Sequence, residues 1–73
     1  MKTEDLAHYT AMEELQMRIA DVAEAIGHLE HKRKRALYND FFYDADQYEA
    51  QIAIEQEKIK QLEHSYELLK NKI

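Results

Sequence analysis

The sequence predicts an all-α protein: two long helices folded into an antiparallel hairpin, with two hairpins joining in a four-helix bundle. Three observations carry this. Leu15, Ile19, Val22, Ile26 and Leu29 recur at alternating steps of four and three, the 3.5-residue period of a helix packed lengthwise on another helix. A second run, through Tyr48, Ile52, Glu55, Ile59, Leu62, Tyr66, Leu69 and Ile73, repeats that spacing. There is no proline, and Gly27 is the only glycine, whereas loops and strands need such punctuation.

The size sets the next expectation. A chain of 73 residues is at most one domain, here spanning residues 1–73. A core of that size supplies on the order of 3–5 kcal/mol unless something staples it. With no cysteine, neither a disulfide nor a thiolate metal site is available, so oligomerisation is the expected staple. Charged residues make up 34% of the chain, and no apolar run approaches the ~20 residues of a membrane span. The start, MKTEDLAHYT, is polar and acidic, unlike a signal peptide, and the expectation is a cytoplasmic chain mature as written. A net charge of −5 gives no global attraction to nucleic acid or anionic lipid.

Helix 1 is expected over about residues 4–37. Thr3 can cap it, with Glu4 and Asp5 in the first turn, where carboxylates favour the positive end of the helix dipole. Its seam runs Met12, Leu15, Ile19, Val22, Ile26, Leu29, Arg33 and Ala36. Extended backwards it reaches His8 and Asp5 and weakens. The turn is expected at 38–40: Asn39 tolerates a left-handed conformation and Asp40 is a good cap for the next helix. Asp44 with Gln47 three residues on is a second possible cap, which would give a longer loop over 39–44. The seam of helix 2, extended backwards, lands on Ala45 and Phe41. That favours the tight turn and a second helix over about 41–72.

A tight turn makes the helices antiparallel. Ile26 then meets Ile52, Ile19 meets Ile59 or its neighbour, and Met12 approaches Tyr66. Arg33 faces the small Ala45, which leaves room for its stem to lie along the seam. Glu55, near Val22, is the other polar seam residue; it either fixes register or sits at a wet edge. More apolar surface remains than one hairpin can use. Phe42, Ile54 and Leu68 lie off the second seam, Leu6, Tyr9 and Leu37 flank the first, and Ala20, Ala23 and Gly27 form a line of small residues. A homodimer is the simplest use of that surface; docking on a different protein is the competing one.

Three clusters could reach further. His31, Lys32, Arg33, Lys34 and Arg35 could neutralise nucleic-acid phosphates, with nearby aromatics stacking on bases. They equally complement the negative end of helix 1, and Asp40, Asp44 and Asp46 dilute their field. Glu24, His28 and His31 share one helix face at metal-ligand spacing, but on its outer side and with no fourth ligand nearby, so no metal site is assigned. His8 and His64 could meet at the open end. Tyr38, Phe41, Phe42, Tyr43 and Tyr48 surround the turn. They either seal the closed end or anchor a partner, and Phe42 and Tyr43 cannot both face inward.

Nothing supports catalysis or a cofactor. There is no phosphate-cradling glycine loop, no cysteine, and a single serine, Ser65, whose neighbour His64 points to a different face. The expected function is therefore a non-enzymatic protein-interaction module, an adaptor, chaperone or small inhibitor, working as a homo-oligomer. A nucleic-acid-binding regulator using Lys32, Lys34 and Arg35 is the alternative.

Overall fold

A computed structural model describes residues 3–72, with side chains described over residues 6–72. The Thr3 cap, the first-turn carboxylates Glu4 and Asp5, and the seam position Ile73 lie outside the described side chains. Two α-helices make up the fold: α1, Thr3–Tyr38, and α2, Phe42–Lys70. They pack against each other along their lengths, and no strand occurs among the described residues. The result is a rod with Cα extents of 57 × 14 × 11 Å. Its radius of gyration is 16.9 Å, against about 11 Å for a compact domain of this length. One layer of two helices encloses no central core.

The shielded residues are those at the 3.5-residue period. Met12, Leu15, Ile19, Val22, Ile26 and Leu29 of α1 are half-buried, as are Tyr48, Ile59, Leu62, Tyr66 and Leu69 of α2. Among the described residues only Ala36, Ala45 and Ile52 are buried. His8, Ala11 and Ala25 join the half-buried set. Arg33 is half-buried and lies along a groove with Ile52 and Ala53, its stem shielding apolar surface. Glu55 sits at a wet edge. Its Oε1 accepts a hydrogen bond from Lys58 Nζ at 2.9 Å, one turn along the same helix.

The turn departs from the sequence reading by one residue. α1 continues through Tyr38, and the connection is 39–41. Asp40, not Asn39, takes the left-handed conformation, with φ 61°. Phe41 N–H donates to the Ala36 carbonyl at 2.8 Å, and Asp40 N–H donates to that of Leu37 at 3.2 Å. These two bonds make a Schellman ending in which Asp40 fills the position usually held by glycine. Asn39 still contributes: its Nδ2 donates to the Arg35 carbonyl at 3.0 Å.

Asp40 therefore ends α1 instead of capping α2. Phe41 occupies the cap position of α2, with φ −88°, ψ 71° and no side-chain cap hydrogen bond. Asp44 lies in the first turn of α2, where its charge favours the dipole, so the longer 39–44 loop does not form. Phe41 is thus outside the helix and 58% exposed, which corrects its assignment to the seam. The seam spacing has no meaning for a residue in non-helical conformation. At its far end α2 stops at Lys70, short of the expected 72. Asn71 N–H donates to the Glu67 carbonyl and Lys72 N–H to that of Leu69.

Candidate functional site

The closed end carries the densest exposed aromatic surface. Tyr38, the last residue of α1, is 89% exposed; Phe41, Phe42 and Tyr43 are 58%, 60% and 76% exposed. Consecutive residues point about 100° apart on a helix, so Phe42 and Tyr43 splay to different sides of α2. The aromatics do not form a sealing core. Ala36 and Ala45 close the turn instead, at 6% and 2% exposure. Tyr48, one turn further along α2, is the aromatic that does shield the seam.

The basic stretch is divided by the same geometry. Five consecutive residues wrap more than one full turn. Lys32 and Arg35 line one side of the hairpin in a groove with Asp44, Phe41 and Tyr48. Lys34 lies on the other side, in a groove with Glu30, Glu49 and Gln56. Arg33, half-buried at a seam position, lines that same groove. Each side therefore has at least one carboxylate among its cations, and the five residues do not present one continuous basic surface.

The remaining titratable clusters are open to water. Glu24 Oε1 lies 3.7 Å from His28 Nε2, with both side chains about three-quarters exposed. Among the described residues no group of three or more His, Asp or Glu is arranged to hold a metal ion. His8 and His64 do not meet. His8 Nε2 donates across the open end to the Leu69 carbonyl, and a carbonyl acceptor requires the tautomer that carries the proton on Nε2. His64 is exposed on the outer side of α2. The His8 contact was not legible in the sequence because its partner is a backbone oxygen. The exposure of Tyr38 could have been read, since it lies opposite the seam on the final turn of α1.

Apolar exposure extends beyond the tip. Leu6, Tyr9, Met17, Leu37, Ile54 and Leu68 are each between 39% and 68% exposed. The accessible surface of 5972 Å² compares with about 4,700 Å² for a compact monomer of 8.7 kDa. The excess, about 1,200 Å², exceeds the ~800 Å² that each partner gives up in a standard interface. No described helix is long and apolar enough to cross a membrane. No family model, curated protein or solved structure matches the chain.

Proposed function

We propose that the chain is a non-enzymatic protein-interaction module that works as a homo-oligomer and presents the aromatic tip to a protein partner. The observation that carries this reading is the exposed row Tyr38, Phe41, Phe42 and Tyr43 at one end of a rod. Large aromatics are the commonest anchors of protein interfaces, and the hairpin does not use these four to hold itself together. Its narrow shape supports a binding role over catalysis, because a rod only two helices thick, with Cα extents of 14 × 11 Å across, offers no cleft that excludes water. The surplus accessible surface supports self-association, and a cytoplasmic setting is part of the same reading.

The protein reading is preferred to the nucleic-acid alternative because the basic residues are split between two sides and mixed with carboxylates. The test is capture from source-cell extract by the intact chain and by a Phe42→Ser/Tyr43→Ser double variant of equal helicity. A protein retained by the first and lost with the second is the expected result. Retention of nucleic acid at low salt, lost when Lys32, Lys34 and Arg35 become Gln, would replace this reading with the alternative.

A further inference from the structure

Beside the seam, α1 carries a second line of positions at the same alternating spacing of three and four. It opens with Leu6 and Tyr9, passes through Ala20, Ala23 and Gly27, and closes with Lys34 and Leu37. Every position on it, including Glu13, Gln16 and Glu30, is exposed in the hairpin. Gly27 is its least explained member. A glycine weakens a helix interior, and a Cβ at this position would meet nothing within 4 Å. The single chain has no use for a glycine there. A second helix approaching closely would have one.

The line is complementary to itself when reversed. With α1 turned end for end about Ala23, Ala23 faces its own copy and Ala20 faces Gly27. Glu13 then faces Lys34, Tyr9 faces Leu37, and Gln16 faces Glu30. Small meets small, apolar meets apolar, and opposite charges meet, with no like-charged pair. Sliding one helix by seven residues destroys this. In one direction Leu37 lands on Gln16 and Lys34 on Ala20; in the other Leu6 lands on Lys34 and Tyr9 on Glu30.

We infer that two copies of this chain dock through this line, α1 against α1 and antiparallel, about a two-fold axis at Ala23 perpendicular to the helix. This rests on the homo-oligomer reading above and specifies its interface. The interface is isologous, so each asymmetric contact occurs twice. On the same side of the hairpin α2 contributes Glu49, Gln56 and the small Ala53, a largely polar rim.

The experiment is a charge swap read by sedimentation equilibrium on the full chain, with circular dichroism as the control for folding. Glu13→Lys and Lys34→Glu should each weaken the dimer on the order of ten-fold, because each places like charges at two symmetric points. The Glu13→Lys/Lys34→Glu double variant should restore it. Gly27→Leu should abolish the dimer while leaving helicity intact, since a single hairpin has open space at that position. Ala23→Cys should form a disulfide with its own copy on oxidation, and Asp21→Cys should not; the described chain has no other cysteine. A dimer indifferent to the swaps and uncrosslinked through Ala23→Cys would overturn this interface and leave self-association standing. A monomer at all accessible concentrations would overturn both.

Discussion

At the closed end Ala36, Ala45 and Ile52 are 6%, 2% and 8% exposed. At the open end Met12, Tyr66 and Leu69 are only half-buried, and a ring-to-carbonyl hydrogen bond from His8 to Leu69 links the two helices. The seam spacing is the same at both ends, so periodicity does not account for the difference. Side-chain size does. Ala36 and Ala45, on either side of the short connection, are small enough to be covered there, and Ile52 lies two turns beyond Ala45 on the same seam. Towards the open end the larger Met12, Tyr66 and Leu69 stay half-buried, and water reaches the edges of their layers. Resistance to local opening should therefore fall from the turn to the termini.

The largest test of this gradient is a pair of truncations. Ile52→Ala removes a buried branched side chain and should cost about 2–5 kcal/mol, enough to unfold much of the population of so small a fold. Leu62→Ala removes a half-buried one near the open end and should cost about 1–2 kcal/mol. Urea unfolding followed by circular dichroism, at one fixed protein concentration, ranks the two. Equal losses would mean that the closed end is not the stability centre.

The connection gives a smaller effect with a defined sign. Asp40 is held at φ 61°, a conformation that β-branched residues avoid and glycine adopts freely. Asp40→Val should destabilise by about 1–2 kcal/mol, and Asp40→Gly should stabilise by up to about 1 kcal/mol. Should Asp40→Gly destabilise, the Asp40 side chain would have a role beyond conformation.

The sequence was readable where a pattern repeats and unreadable where a single residue decides. The seam positions from Met12 to Leu29 and from Tyr48 to Leu69 follow from spacing alone, because a period near 3.5 has one structural meaning over several turns. The turn could be located to within a residue. Which of Asn39 and Asp40 turns left-handed could not be read, since both tolerate it and the choice depends on where the last helical hydrogen bond forms. The period does not extend to Phe41, because that residue lies in non-helical chain. Spacing places Ala36 and Ala45 on the seam, but their small apolar area gives no sign that they, with Ile52, are the most buried of the described residues. At the candidate site, the exposure of Phe42 or Tyr43 followed from three adjacent aromatics. The division of the basic stretch follows from helix geometry, yet those residues first read as a single patch.

The open end provides the smallest and most local effect. The last carbonyls of a helix have no partner within it, and the Leu69 oxygen is one of these. It accepts from Lys72 N–H at 3.2 Å and from the His8 ring, so the final turn of α2 is tied to the first turns of α1 by a polar side chain at the end of the seam. His8→Ala should cost about 0.5–1.5 kcal/mol and leave the closed end untouched. Hydrogen exchange separates this from a global loss. Amides of the last two turns of α2 should exchange faster in the variant, while those around Ile52 keep their protection relative to the global unfolding free energy. Uniform acceleration along both helices would mean instead that the two ends of the rod open as one cooperative unit, and that the contrast in burial between them has no counterpart in local stability.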